Sequence, residues 1–184
     1  MSNIPVNRTF YSNIRLGYHK IKSTLPCINT NVSHHKQFST HVGAPLRKKI
    51  TIVDVQKYKN RSKPITMCTA YTYPSAVHVD TAGIDILLVG DSLAMVELGY
   101  DTTLPITVDQ MLYHCNAVSR GATHSLIVAD IPFGSYEANC VQAYNTAVRF
   151  LKEGNVDAVK LEGGESRAET VKLLCDGGVA VMGM

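Results

Sequence analysis

The sequence predicts an α/β fold in which buried parallel strands alternate with helices, as they do in a (β/α)8 barrel. Three apolar runs rich in β-branched residues carry this prediction, since each suits a strand buried on both faces and each ends abruptly in charged residues. The runs are LLVGDSLAM (87–95), LIVADIPFGSY (126–136) and AVKLEGG (158–164). Because the carboxyl ends of parallel strands meet at one edge of a sheet, we expect these charged residues to form a site there.

The first elements follow from local signals. A short lead-in helix is expected over 51–58, and a first strand over 65–70. Pro74 suits the first turn of the next helix, where a backbone N–H has no partner in any case, and Gly83 ends that helix. A second strand over 84–89 then completes one β-α-β unit.

The middle of the chain continues the alternation. Thr107 and Gln110 form a capping box that opens a helix ending near Gly121. The apolar face of this helix is expected to consist of Met111, Cys115 and Val118. A third strand is expected over 125–129.

The last elements repeat the same pattern. Asn139 is expected to cap a helix. The residues expected to face inward on that helix are Val141, Tyr144, Val148 and Leu151. A fourth strand is expected over 157–161, a capping box at 166–169 opens the final helix, and a fifth strand begins over 179–182.

Two architectures fit this order of elements. One is an open, doubly wound sheet and the other is part of a (β/α)8 barrel. An open sheet that binds nucleotides usually carries a glycine-rich turn after its first strand. Residues 71–74 are Tyr-Thr-Tyr-Pro, without glycine, which weakens the nucleotide-binding alternative.

Two carboxylates follow successive strands at equivalent positions. Asp91 comes after Val89-Gly90, and Asp130 comes directly after the third strand. Carboxylates that converge in this way suit Mg²⁺, which takes one or two of them together with water and substrate oxygens. The alternative is that both are helix caps or loop acids. Ser92 has two roles open to it, since its hydroxyl and N–H suit either a substrate carboxylate or a helix cap.

Lys160 and Glu162 lie two residues apart on the fourth strand, which places them on the same face. If Leu161 faces the helices, both charges point into the mouth of the barrel. Glu162 then suits a place in or beside a metal shell, and Lys160 suits an anionic substrate oxygen. The alternative is a solvated ion pair at the end of a strand, which contributes little to stability.

The amino-terminal residues have a different composition. Residues 1–53 contain no Asp or Glu. The basic residues there are Arg8, Arg15, Lys20, Lys22, Lys36, Arg47, Lys48 and Lys49. This composition is typical of a mitochondrial transit peptide, so residues 1–42 are predicted to be a targeting or disordered leader, and 48–184 the folded domain of a matrix protein. The alternative is a disordered basic tail that binds nucleic acid, for which no motif is present.

The remaining composition favours small-molecule partners. No run reaches the ~18 apolar residues of a membrane span. The five cysteines are scattered without a CxxC pair, which indicates free thiols in a reducing compartment. Neither a membrane nor a nucleic acid is therefore an expected partner.

Residues 48–183 resemble the ketopantoate hydroxymethyltransferase (3-methyl-2-oxobutanoate hydroxymethyltransferase) family. Several long motifs occur in the family's order, which makes the resemblance specific. They are ITMCTAYTYPSA (65–76), AGIDILLVGDSLAM (82–95), GYDTTLPITVDQM (99–111), ADIPFGSY (129–136), VKLEGG (159–164) and GVAVMG (178–183).

The resemblance implies a TIM barrel of the phosphoenolpyruvate/pyruvate-binding type. It implies transfer of a hydroxymethyl group from 5,10-methylenetetrahydrofolate to 3-methyl-2-oxobutanoate, giving 2-dehydropantoate for pantothenate synthesis, by a homo-oligomer. By the same resemblance, Asp91 and Asp130 ligate Mg²⁺ with Glu162 in or next to its shell. Ser92 and Lys160, with the two aspartates, hold the oxoacid.

The chain also departs from the family. Thr72 stands where the family commonly has Asp, Ala94 where it usually has Gly, and Met184 where it has His. The family's proton-abstracting glutamate lies after the fifth strand, so we expect a barrel truncated after about five strands that contains no catalytic residue and is inactive alone. One alternative is a non-catalytic half-barrel that binds metal or oxoacid or assembles with full-length subunits. Another is a lyase of the same superfamily.

Overall fold

The computed structural model describes residues 47–183, which form a parallel five-stranded sheet with its helices. The strands are β1 (Met67–Thr69), β2 (Ile86–Val89), β3 (Leu126–Asp130), β4 (Ala158–Leu161) and β5 (Val181–Gly183). The α-helices are α1 (Ile52–Asn60), α2 (Tyr73–Thr81), α3 (Leu93–Val96), α4 (Val108–Gly121), α5 (Cys140–Lys152) and α6 (Ala168–Asp176), and a 3₁₀ turn spans Gly164–Arg167. The predicted leader, 1–42, lies outside the described residues.

The strand order β1-β2-β3-β4-β5 is the same in the sheet as in the chain, and every pair is parallel. Helices α2, α4, α5 and α6 all contribute to one core cluster, which packs against the strand residues Leu87, Ile127 and Val159. A doubly wound sheet carries helices on both of its faces. Because these four helices cover a single face, the arrangement is that of consecutive units of a (β/α) barrel, as predicted.

The opposite face of the sheet forms a second apolar cluster. Its strand residues are Ile86, Leu88, Leu126, Val128 and Ala158. Ile50 and Val55, at the start of the described chain and in α1, pack against them. The backbone N–H of Ile50 donates to His124 O at 2.7 Å, and the Lys49 ammonium donates to Ser125 O at 2.8 Å. Helix α1 is therefore tied to the amino ends of the strands, on the face that becomes the interior of a barrel.

Several helix starts agree with the prediction. Thr107 and Gln110 form the expected capping box at α4. Asn139 caps α5 by accepting the N–H of Gln142 at 2.9 Å. Helix α2 begins one residue before Pro74, with Thr72 as its cap. These starts are predictable because a capping side chain satisfies backbone donors within its own turn.

The inward face predicted for α5 is wrong in part. Val141 is 66% exposed, and the residues that are buried are Ala143, Thr146, Ala147 and Phe150. Tyr144 and Leu151 pack only at the margin of the core. The helix is rotated from the prediction because alanine and threonine let its axis lie close to the sheet, while larger side chains flank the contact.

The capping box predicted at 166–169 is also wrong. The hydroxyl of Ser166 donates to Gly163 O at 2.8 Å, and the 3₁₀ turn occupies this segment. Helix α6 begins after it, with Arg167 at the cap position and no side-chain cap. Gly163 and Gly164 have positive φ values of 120° and 56°, a backbone that turns the chain before a regular helix can start. Helix α3 was not predicted.

Two further observations concern the described residues as a whole. Within 47–183 no helix has the length and apolar character needed to cross a membrane. The four cysteines there, Cys68, Cys115, Cys140 and Cys175, are free thiols, as expected. Cys27 lies outside the described residues.

Candidate active site

A cavity of about 200 Å³ opens at the carboxyl ends of β2, β3 and β4. The side chains that line it are Asp91, Thr103, Leu104, Asp130, Ile131, Phe133, Tyr136, Lys160 and Glu162. Four of the five residues predicted for the site are therefore brought together, as expected for strand ends at one edge of a parallel sheet. The fifth, Ser92, lies beside the cavity rather than in its lining.

The floor of the cavity is an ion pair between neighbouring strands. Asp130 ends β3 and pairs in register with Lys160 of β4. The Lys160 ammonium lies 2.8 Å from Asp130 Oδ1, and the two side chains are only 11% and 10% exposed. By its angles this contact is an ion pair rather than an aligned hydrogen bond, so Oδ1 has no aligned donor. The charge of Asp130 is compensated while Oδ1 keeps lone pairs available for a ligand.

The pKa of Asp130 is raised above its ordinary value, chiefly because burial penalises the carboxylate. The Lys160 ammonium and the Asp91 N–H oppose this shift without cancelling it. The carboxylate of Asp91 adds to it through charge repulsion. A buried acid whose burial is not offset by its partners, in a cavity, is typical of a functional site.

Asp91 is placed by the turn that follows β2. Its backbone N–H donates to Asp130 Oδ2 at 3.2 Å, which joins the ends of β2 and β3. Gly90 leaves room for the Ser92 hydroxyl beside this turn, because a Cβ there would lie 2.9 Å from Ser92 Oγ. The alternative role as a loop acid does not fit Asp130, whose oxygens face the Asp91 N–H and the Lys160 ammonium.

Leu161 is buried in the helix-side core, so Lys160 and Glu162 both point to the cavity, as predicted. Glu162 stands at the rim, where its side chain is 67% exposed and its Oε1 lies 3.9 Å from the Lys160 ammonium. The close ion pair of Lys160 is therefore with Asp130, and its contact with Glu162 is longer and weaker. The alternative of a solvated ion pair does not describe Lys160, although it does describe the Lys160–Glu162 contact.

Ser92 occupies the cap position of α3 but makes no capping hydrogen bond. Its hydroxyl instead shares a hydrogen bond of 2.9 Å with the hydroxyl of Tyr71. Nδ1 of His114 lies 2.7 Å from Tyr71 O, so this half-buried histidine supports the loop after β1. The prediction missed Tyr71 and His114, because both contacts join residues far apart in the sequence.

The donor set suits a hard cation in part. In the segment 47–183, no group of three His, Cys, Asp or Glu side chains is close enough to hold a metal ion. Asp91 and Asp130 nevertheless offer two carboxylates at one end of the cavity, and the buried Oδ1 of Asp130 lacks an aligned donor. Mg²⁺ needs no more than one or two carboxylates when water and substrate complete its shell. The site therefore fits Mg²⁺ on two protein ligands, and Glu162 as a third remains a prediction.

The prediction also missed the apolar part of the lining. Leu104 lies in the segment between α3 and α4, and Phe133 lies between β3 and α5. Tyr136 is buried beneath them with its hydroxyl 3.5 Å from Glu162 O, and burial raises its pKa. These residues lie in the motif stretches DTTLPI and DIPFGSY. Their place in the cavity could not be predicted, because loop residues have no periodicity that assigns them to one face.

Comparison with known proteins places the chain in a family. Residues 49–184 match the family model of ketopantoate hydroxymethyltransferase. Over 137 residues the chain is 56% identical to 3-methyl-2-oxobutanoate hydroxymethyltransferase 1, mitochondrial, of Arabidopsis thaliana, covering 74% of this chain and 40% of that protein. Over 135 residues it is 54% identical to 3-methyl-2-oxobutanoate hydroxymethyltransferase of Gloeobacter violaceus, covering 73% of this chain and 52% of that protein.

Solved structures with little sequence identity share the fold. Phosphonopyruvate hydrolase, in a complex with oxalate and Mg²⁺, aligns with a TM-score of 0.57 at 12% identity, over 70% of this chain and 50% of that one. 2,3-Dimethylmalate lyase, a member of the PEP mutase/isocitrate lyase superfamily, aligns with a TM-score of 0.56 at 14% identity, over 71% of this chain and 51% of that one. Both support the α/β barrel fold over the aligned part of this chain.

The chain spans about half of the bacterial relative named above and 40% of the plant one. The matched residues 49–184 nevertheless contain every strand that the structure describes and the whole lining of the cavity. The chain belongs to the ketopantoate hydroxymethyltransferase family.

Proposed function

We propose that this chain binds Mg²⁺ and 3-methyl-2-oxobutanoate and serves the transfer of a hydroxymethyl group from 5,10-methylenetetrahydrofolate, giving 2-dehydropantoate. The observation that carries the proposal is the buried Asp130–Lys160 pair, with Asp91 beside it, at the carboxyl ends of adjacent strands. The names of the relatives support the choice of substrate and of the transferred group, and the folate donor is what the family resemblance implies.

Lys160 is the anion-binding group of this proposal. Its ammonium lies on the cavity floor and has Asp130 as its near partner. A 2-oxo acid brings a carboxylate and a polarised carbonyl oxygen, both of which gain from a positive charge in a site of low dielectric. Lys160 therefore holds the charged end of the oxoacid and stabilises negative charge that develops on its oxygens.

Asp91 and Asp130 would hold the metal through carboxylate oxygens that face the cavity. When bound, Mg²⁺ would supply a Lewis acid that polarises the carboxylate and keto oxygens of the oxoacid. The N–H of Asp91 contacts Asp130 Oδ2 and the Lys160 ammonium contacts Oδ1, and each oxygen has a further lone pair that it could offer to a cation. Ser92, whose hydroxyl is oriented by Tyr71, would add a donor to the oxoacid carboxylate.

Removal of the proton at C3 of the oxoacid needs a base. Asp130 is paired with Lys160, Asp91 belongs to the metal set, and Glu162 is a solvated rim residue. We therefore assign the base to the glutamate that the family carries after the fifth strand, as the family resemblance implies. The part of the chain that the structure describes would then supply the groups that bind the metal and the oxoacid, but not the base.

We propose the mitochondrial matrix as the site of action. The Arabidopsis relative is a mitochondrial protein by name, and residues 1–53 have the acid-free, basic composition of a transit peptide. Cell fractionation of the tagged full chain tests this location. Recovery of the tag outside the mitochondrial fraction contradicts it.

One observation favours a second function, assembly with longer family members. Within residues 47–183, β1 and β5 each pair with a strand on one side only, and Met67 on β1 is half-exposed. Open edges of this kind seek further strands. Co-expression with a full-length relative and tagged purification tests the idea, and failure of the two chains to co-purify rejects it.

Isothermal titration of the full 184-residue chain with 3-methyl-2-oxobutanoate tests the proposed function directly. Binding is expected with Mg²⁺ and is expected to be lost when EDTA removes the cation. Lys160→Met is expected to abolish binding, whereas Lys172→Met, at an exposed lysine of α6, is expected to leave it unchanged. The proposal is contradicted if the oxoacid binds equally well in the presence of EDTA and to Lys160→Met. Formation of 2-dehydropantoate on addition of the folate donor measures how much of the reaction the chain completes.

A further inference from the structure

The cavity has a charged floor and an apolar rim. Its floor is the Asp130–Lys160 pair. At its rim stand two large apolar side chains, Leu104 and Phe133, which are 60% and 64% exposed. They come from two different loops and line the same cavity, with the buried Ile131 in its wall. Two large apolar side chains are exposed here although the Asp130–Lys160 pair on the floor is buried, which is the reverse of the usual distribution.

The size of the cavity limits what it holds. At about 200 Å³ it is smaller than the ~300–1,000 Å³ pockets that take drug-sized ligands. A ligand of a few carbons with one charged end matches both its volume and its polarity. The charged end belongs on the floor, because an alkyl group there would strip solvent from the ion pair without replacing it.

We infer that Leu104 and Phe133 are the specificity-determining residues for the branched alkyl group of the 2-oxo acid. The inference rests on the proposed function, which places the oxoacid oxygens at Lys160. With those oxygens on the floor, the alkyl carbons reach the rim, where they cover apolar surface that water otherwise contacts. The carbon that carries the branch then faces the open mouth, from which a one-carbon donor has access to it.

This arrangement predicts an order of affinity among 2-oxo acids. Each added carbon contacts the rim, so 3-methyl-2-oxobutanoate binds more tightly than 2-oxobutanoate, and 2-oxobutanoate more tightly than pyruvate. A methylene in a closed pocket discriminates by roughly 10- to 200-fold. Because the rim is open on one side, we expect roughly tenfold between the two ends of the series.

The test is a titration of the full chain with these three oxoacids in the presence of Mg²⁺. The double variant Leu104→Ala/Phe133→Ala is expected to reduce the preference for 3-methyl-2-oxobutanoate over pyruvate from roughly tenfold to about twofold. The Kd for pyruvate is expected to stay within about twofold of that of the unaltered chain, since pyruvate contacts mainly the floor. The matched control is Leu173→Ala/Val53→Ala, which truncates exposed side chains on α6 and α1, away from the cavity lining.

Each outcome decides between the two claims. A preference that falls in the cavity variant and not in the control supports the inference. Pyruvate binding with an unchanged preference in the cavity variant overturns the inference and leaves the proposed function standing. Failure of the unaltered chain to bind any of the three oxoacids with Mg²⁺ overturns both. Circular dichroism of each variant confirms that these surface truncations keep the fold.

Discussion

The two ends of the sheet use buried carboxylates in different ways. At the amino end, Asp80 accepts the N–H groups of Ser125 at 2.7 Å and His124 at 3.0 Å, and Asp85 accepts the N–H of Thr66 at 2.9 Å. At the carboxyl end, Asp130 has one oxygen without an aligned donor. Carboxylates whose oxygens accept hydrogen bonds from several backbone N–H groups stabilise the fold. A carboxylate with fewer such donors can still bind a ligand.

The pKa directions follow the same division. Burial acts to raise the pKa of Asp80, but donors from Ser125 and Thr123 outweigh it and hold the pKa below its ordinary value. Asp85 shows the same balance, with Thr66 as the main donor. For Asp130 burial prevails and the pKa is raised. Asp130 lies deepest among protein atoms and has fewer aligned donors than Asp80, so its burial and its small number of donors both favour the raised pKa.

The largest effect on stability is expected at Asp80. Asp80→Asn replaces a carboxylate by an amide that cannot accept from all of its donors at once, which leaves N–H groups of the β3 start unsatisfied. We expect the free energy of unfolding to fall by about 3 kcal/mol, since hydrogen bonds to charged groups contribute about 1.5–3 kcal/mol each. Urea denaturation followed by circular dichroism measures this. Asp101→Asn, at an exposed acid, serves as the control, and an equal loss in that variant contradicts the account.

The largest effect on binding is expected at Asp130. Asp130→Asn removes the charge opposite Lys160 and the carboxylate offered to Mg²⁺. Affinity for 3-methyl-2-oxobutanoate with Mg²⁺ is expected to fall by roughly 30-fold or more, which corresponds to about 2 kcal/mol. Titration calorimetry measures this, with Asp109→Asn on the exposed face of α4 as the matched control. Undiminished affinity in Asp130→Asn removes Asp130 from the site.

Low pH is expected to affect the carboxylates at the two ends of the sheet in opposite directions. The lowered pKa of Asp80 means that its contribution to stability is complete above the unfolded value of about 3.9 and is lost as pH falls through the folded value. The raised pKa of Asp130 changes stability with pH in the opposite direction. The folded state takes up this proton at a higher pH than the unfolded state does, so protonation of Asp130 favours the folded state. The difference in stability between the unaltered chain and Asp80→Asn is therefore expected to shrink below about pH 4. Urea midpoints at pH 7, 5, 4 and 3 measure it, and a constant difference argues against the carboxylate role.

A smaller effect is expected at Gly90. Gly90→Ala places a Cβ 2.9 Å from Ser92 Oγ, which displaces that hydroxyl from Tyr71. We expect oxoacid affinity to fall by roughly three- to tenfold, in line with the loss of one neutral hydrogen bond, while stability changes by about 1 kcal/mol or less. Gly183→Ala is the control, since a Cβ there meets no atom within 4 Å. Equal affinities in the two variants show that the Ser92 hydroxyl does not contribute to binding.

The parts of the molecule that could be predicted from sequence are those fixed by local chemistry. The caps at Thr107 and Asn139 depend on neighbours within one turn, and the shared face of Lys160 and Glu162 depends only on the period of a strand. The convergence of Asp91 and Asp130 followed from parallel pairing alone.

The parts that could not be predicted depend on packing across the chain. The face that α5 buries is decided by how closely its axis approaches the sheet, which is why Val141 lies outside. Tyr71 meets Ser92, and His114 meets Tyr71, only because β1, β2 and α4 come together in the fold. The structural role of Asp80 went unpredicted for the same reason, since its partners lie more than 40 residues away.

The most direct test compares Asp80→Asn and Asp130→Asn side by side, with both urea unfolding and Mg²⁺-dependent binding of 3-methyl-2-oxobutanoate measured on each. We expect Asp80→Asn to lose stability and to keep its affinity at a temperature where it remains folded. Asp130→Asn is expected to lose affinity under conditions where circular dichroism shows it folded, and also to lose stability, because the buried Lys160 ammonium is left without its partner. If folded Asp80→Asn loses affinity, or if Asp130→Asn binds as tightly as the unaltered chain, the division between a stabilising end and a binding end of the sheet is wrong.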